Sequence, residues 1–148
     1  MAYTFLLVDG AASAAERAEK LLALAGPGGE VLRASSGPAA IAQLDDLPVP
    51  PSLVFVDFQM PGMNVIEFLA AIRMRNALQG LPVAVCATSI ADREVVSCYR
   101  LGVCAVLLEP LSRHDLQAVI AEWARPSRRH PRAASLTRPG PDERRHVA

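Results

Sequence analysis

The chain has 148 residues, 51% of them hydrophobic and 20% charged, with a formal net charge of zero at pH 7. That length supports one domain with a real core and is too short for two, and no apolar run approaches the length a bilayer span needs. The neutral total hides an asymmetry: residues 1–125 hold nine Arg/Lys against thirteen Asp/Glu, whereas residues 126–148 hold six Arg against Asp142 and Glu143.

Five strand-like runs alternate with helix-like stretches. The chain passes from Met1 almost directly into the first strand, Tyr3–Val8, without the basic and cleavable features of a secretory signal. A helix is expected over Ala12–Ala25, then a strand over Glu30–Ala34 and a helix over Pro38–Leu44. Next comes the apolar strand Ser52–Val56, bounded by Asp57 and the Pro61-Gly62 turn. A helix over Val65–Arg75 carries Val65, Phe68, Leu69 and Ile72 at helical spacing. A strand over Pro82–Cys86 leads into a helix over Asp92–Leu101. Ser89-Ile90-Ala91-Asp92 reads as that helix's capping box and Gly102 as its C-cap. The last strand is Ala105–Leu108 and the last helix Arg113–Ala124. Strict β/α alternation implies a parallel sheet with helices on both faces.

Asp57 is the residue to explain. A carboxylate where a buried strand leaves the sheet costs solvation energy unless it has a partner or a chemical role, and that edge is where open α/β sheets bind ligands. The three cysteines, Cys86, Cys98 and Cys104, lack metal-ligand spacing and suit a reducing cytoplasm. They read as small apolar fillers, with a redox role for Cys86 as the alternative. After Arg125 the composition turns to Pro, Ser and Arg, so residues 126–148 are expected to be a disordered tail on a domain spanning residues 1–125. With no interleaved aromatics, that tail offers little for nucleic acid.

Taken together, these residues resemble the receiver domains of bacterial response regulators. Phe5-Leu6-Leu7-Val8-Asp9 is similar to the first strand and its acidic end, and Asp57-Phe58-Gln59-Met60-Pro61-Gly62-Met63 to the phosphoacceptor strand and loop. Pro82–Val85, Thr88-Ser89, Ser97–Val103 and Leu108-Glu109-Pro110 complete the pattern, closest to the small stand-alone receivers that partner bacterial phytochromes. The resemblance implies a flavodoxin-like sheet of order 2-1-3-4-5. It also implies a phosphoryl group received on Asp57 from a histidine kinase, with Mg²⁺ bringing the anions together. The matching metal positions are Asp9, Asp57 and the backbone carbonyl of Gln59.

The pattern is kept at Asp57 and lost around it. The second acid of the first strand, a direct metal ligand in the family, is Gly10, and the phosphate-sensing hydroxyl is Ala87, with Thr88 one place late. The lysine that pairs with the phosphate is Glu109; Lys20, the chain's one lysine, lies on the first helix. The fifth-strand aromatic is Val106, and Asn64-Val65 stands for the Asp-Gly that ends the loop. Two unit charges about 4 Å apart interact by roughly 4 kcal/mol at an effective dielectric of 20, so exchanging lysine for glutamate turns an attraction of that order into a repulsion.

Asp9, Asp57 and Glu109 are thus expected to form an acidic cluster with no intrinsic cation, which raises a carboxyl pKa or weakly captures Mg²⁺. Glu109 is expected to pair with Arg113 or a neighbouring arginine, and Thr88 and Ser89 to cap the fourth helix. The reading is a cytoplasmic, non-enzymatic receiver protein with weak or absent phosphate control. It would act by contact with a sensor kinase or downstream protein, or as a homodimer through its fourth helix, fifth strand and fifth helix. The alternatives are a conventional phosphorelay receiver phosphorylated on Asp57, and a flavodoxin-type cofactor binder using Gly10-Ala11-Ala12-Ser13 as a phosphate loop.

Overall fold

The structure, a computed structural model, describes residues 2–126; the tail expected to be disordered lies, from Ser127 onward, outside the described residues. Five strands, β1 (Thr4–Val8), β2 (Glu30–Ala34), β3 (Leu53–Asp57), β4 (Val83–Ala87) and β5 (Ala105–Leu108), form one parallel sheet in the order β2-β1-β3-β4-β5. The helices are α1 (Ala14–Leu24), α2 (Gly37–Asp46), α3 (Val65–Arg73), α4 (Asp92–Arg100) and α5 (Arg113–Trp123), with a short 3-10 turn at Asn76–Leu78. The expected flavodoxin-like sheet with helices on both faces is the fold observed. No helix among the described residues is long and apolar enough to cross a membrane.

The strands are apolar on both faces because both are covered, as parallel sheets require. Their period of two divides the core. Leu6, Val8, Val54, Val56, Val83 and Val85 pack with Ala40, Leu44, Phe68, Leu69, Ile72 and Cys98 of α2, α3 and α4. Phe5, Leu7, Leu53, Phe55, Ala84 and Cys86 pack with Leu21, Leu116, Val119 and Ile120 of α1 and α5.

Local chemistry sets the helix ends. Asn64 caps α3 by a reciprocal box: Asn64 Oδ1 accepts from the Glu67 N–H (2.8 Å) and the Asn64 N–H donates to Glu67 Oε1 (3.0 Å). Helix α4 departs from expectation. Asp92 is its first residue and Ala91 its N-cap, which has no side-chain acceptor; only the Ala91 N–H finds a partner, Glu94 Oε1 at 2.9 Å. Thr88 and Ser89 are exposed, and Ser89 stands three residues before the helix starts, too early to cap it. At the other end Gly102 adopts φ +83°. Its N–H reaches Tyr99 O (3.0 Å) and the Val103 N–H reaches Cys98 O (3.3 Å), the paired bonds of a Schellman motif.

Arg73, the last residue of α3, holds two loops together. Its guanidinium donates to the carbonyls of Leu78 (3.0 Å), Gln79 (3.2 Å) and Leu81 (3.0 Å) before β4. It also donates to those of Leu101 (3.1 Å) and Gly102 (3.0 Å) after α4. A planar guanidinium that donates from Nε, Nη1 and Nη2 suits this spread of carbonyls, which a lysine could not serve.

Candidate functional site

Strand register assembles the site. Val8 pairs with Val56, Asp57 with Cys86, and Ala87 with Leu108. The residues at or just beyond these strand ends, Asp9, Asp57 and Glu109, therefore meet at the C-terminal rim of the sheet. A cavity of about 190 Å³ opens there, lined by these three acids, by Glu16, Arg17 and Lys20 of α1, and by apolar residues including Leu21, Phe55 and Leu116.

The expectation of an acidic cluster without its own cation is overturned by Arg17. From the first turns of α1, its Nη1 donates to Asp9 Oδ2 and its Nη2 to Glu109 Oε1, making two ion pairs. Glu109 thus pairs with Arg17 and not with Arg113. Arg17 faces inward because it lies three residues after Ala14 and four before Leu21, both buried core positions, so helical spacing puts it on the same face. The Asp9 carboxylate is wholly buried. Its second oxygen, Oδ1, accepts from the Ala11 N–H at 2.8 Å, which also takes a donor from the loop considered for phosphate binding.

Asp57 lies beside this bridge, half-buried. Its Oδ1 accepts from the Gln59 N–H at 3.1 Å, and it joins no ion pair among the described residues. Burial pushes its carboxyl above the usual aspartate range, and the neighbouring Asp9 carboxylate adds to that rise; the Gln59 N–H and the Arg17 charge act against it. Cys86 lines the same cavity. Burial pushes its thiol up to about 12, and the charge of Arg17 opposes the rise only in part. A thiol held protonated is a poor nucleophile and metal ligand, so the redox alternative for Cys86 has no support here.

Ala87 is fully buried, its carbonyl accepting from the Glu109 N–H at 2.8 Å, while Thr88 is exposed. Val106 is half-buried against the α2–α4 side of the core. A Cβ on Gly10 would meet Ser35 O at 3.0 Å and Pro61 Cδ at 3.4 Å. Gln59 is exposed. His114 is exposed on α5.

The fold and the strand-end acids define an α/β domain of the receiver type. The chain belongs to the response regulator receiver domain family, whose profile matches residues 5–121. It is a receiver domain of two-component signalling. Among curated relatives, the positive alginate biosynthesis regulatory protein of Pseudomonas aeruginosa is 29% identical over 149 residues, covering 97% of this chain and 56% of that protein. The probable methanogenesis regulatory protein FilR2 of Methanothrix harundinacea is 32% identical over 72 residues, covering 49% of this chain and 46% of that one. The chain spans about half the length of these relatives. Among solved structures, the phosphorylated cyanobacterial phytochrome response regulator RcpA is 25% identical, with a TM-score of 0.69 and coverage of 83% and 94%. The chemotaxis protein CheY4 of Vibrio cholerae shares the fold at 22% identity, with a TM-score of 0.73 and coverage of 83% and 99%.

The divalent ion that the family implies does not fit these residues. Both Asp9 oxygens and Glu109 Oε1 are engaged, and Gly10 supplies no side-chain oxygen. Among the described residues no group of three or more His, Cys, Asp or Glu is placed to hold a metal. A hard cation of this kind needs several free oxygens.

Proposed function

We propose that this receiver domain signals by docking to a partner protein, with phosphoryl transfer to Asp57 weak or absent. The observation that carries the reading is the commitment of Asp9 and Glu109 to Arg17. An incoming phosphoryl group would find Arg17 already held by Asp9 and Glu109, with neither a lysine nor a metal free to offset its charge. Burial already disfavours the ionised Asp57 that would have to attack. Receiver domains interact with histidine kinases or other signalling proteins, and here α4, β5 and α5 form the docking face. They flank the open edge of the sheet and expose Val96, Tyr99, Leu108 and Trp123, aromatic and aliphatic side chains of the kind that anchor interfaces. A sensor kinase, a downstream protein or a second copy of this chain could be the occupant. The domain has no enzymatic role in this reading.

With Ala87 and Val106 in place of a hydroxyl and an aromatic, that face has no relay to Asp57. It should keep one conformation, since nothing binds one state better than another. Amide chemical shifts are the test. Adding Mg²⁺ and beryllofluoride should leave the resonances of residues 92–100, 105–108 and 113–123 in place. Large, saturable shifts there would replace this reading with that of a conventional phosphorelay receiver.

A further inference from the structure

We infer that Arg17 is the resident cation of the pocket: the guanidinium binds the carboxylates that a divalent ion would need and thereby keeps such ions out. The inference rests on the reading of a pocket without phosphate control and assigns the cause to one side chain.

Arg17 reaches Asp9 with one terminal nitrogen and Glu109 with the other, so a single planar fork satisfies acids from two strand ends. A guanidinium suits this place better than a hydrated ion. It is weakly hydrated, permanently charged and shaped for carboxylate oxygens. Being tethered to α1, it competes at a high effective concentration that no free ion in the solution matches. The Ala11 N–H donates to the other Asp9 oxygen, so each oxygen of the buried acid accepts a hydrogen bond. The bridge also ties the start of α1 to the segment after β5. Lys20 takes no part in the bridge; its Nζ stands 3.7 Å from Glu16 Oε1, and both residues line the same cavity.

Without Arg17, the carboxylates of Asp9, Asp57 and Glu109 would border the cavity with only Lys20, paired to Glu16, as a cation in its lining. The Arg17→Met variant should therefore gain what the wild type lacks. Free Mn²⁺ is followed by electron paramagnetic resonance during titration of the full chain. The wild type should show no saturable binding up to about 1 mM, the weak end of extracellular calcium-module affinities. Arg17→Met should bind one ion at least tenfold more tightly, and Arg17→Met/Asp57→Asn should lose most of the gain. In a second measurement on the wild type alone, the Arg17 side-chain N–H resonances should stay slow to exchange and unshifted when Mg²⁺ is added. That readout holds if Arg17→Met does not fold.

A folded Arg17→Met variant as indifferent to Mn²⁺ as the wild type would overturn the inference and leave the proposed function standing. Tight binding by the wild type, with Mg²⁺ displacing the Arg17 resonances, would overturn both.

Discussion

Arg17 and Glu109 stand 92 positions apart in sequence, and their side chains form an ion pair across the C-terminal rim of the sheet. Glu109 alone would be a repulsive charge beside Asp57. Paired, it becomes one end of a bridge whose other end is the buried Asp9. The charge that would oppose a phosphoryl group in the proposed reading is thereby satisfied within the folded structure.

Removing the shared cation should cost more than removing one acceptor. Arg17→Met leaves a buried carboxylate at Asp9 without its charge partner, a situation that costs about 3 kcal/mol. Glu109→Gln keeps a polar acceptor for Arg17 and should cost about 1 kcal/mol. Urea denaturation of the two variants beside the wild type measures both, and equal losses would show that Asp9 does not depend on Arg17.

Asp57 should lower stability as the pH rises. Its carboxyl titrates higher in the folded chain than in the unfolded one, chiefly through burial, so the folded state holds the extra proton. Stability attributable to this group is then greatest below about pH 3.9, the unfolded value. It is lost as the pH climbs through the raised folded value. Asp57→Asn should be more stable than the wild type at pH 7, with the gap closing towards pH 3.5. Thermal melts across that range check it; a constant gap would mean that ionisation is not the cause.

Arg73 should tolerate no cationic substitute. Arg73→Lys keeps the charge but offers at most three donors to five carbonyls, and should cost about 2 kcal/mol. Hydrogen exchange should rise at residues 78–81 and 101–103 together, because one side chain holds both loops. A change confined to one loop would contradict this.

Cys86 should be inert to alkylation. With its thiol pushed up to about 12 by burial, almost no thiolate exists at pH 8. Mass spectrometry after brief iodoacetamide treatment should find the Cys86 peptide unmodified in the native protein and fully modified in urea. Rapid native labelling would reopen the redox alternative.

Much of the fold is legible in the sequence because it rests on period and order. Apolar runs alternating with 3.6-period stretches give the parallel sheet, and the strand ends bring Asp9, Asp57 and Glu109 together. What hides Arg17 is its neighbourhood. In Glu16-Arg17-Ala18-Glu19-Lys20 it looks like part of a solvated charged face, and only its place between Ala14 and Leu21 on the buried stripe betrays it. Arg73 is hidden the same way, four residues beyond buried Leu69. The Asn64-x-x-Glu67 box is a local signal outweighed by reading Asn64 as a family departure. The approach of Ser35 and Pro61 to Gly10 depends on loop paths that no periodicity encodes.

Labelling by acetyl phosphate with Mg²⁺ reads phosphoryl transfer to Asp57, proposed to be weak or absent, with no kinase in between. On a phosphate-affinity gel, the wild type should show no more phosphorylated species than Asp57→Asn, while a conventional receiver treated in parallel is labelled. A Mg²⁺-dependent band approaching one phosphoryl group per chain in the wild type, absent from Asp57→Asn, would contradict the account.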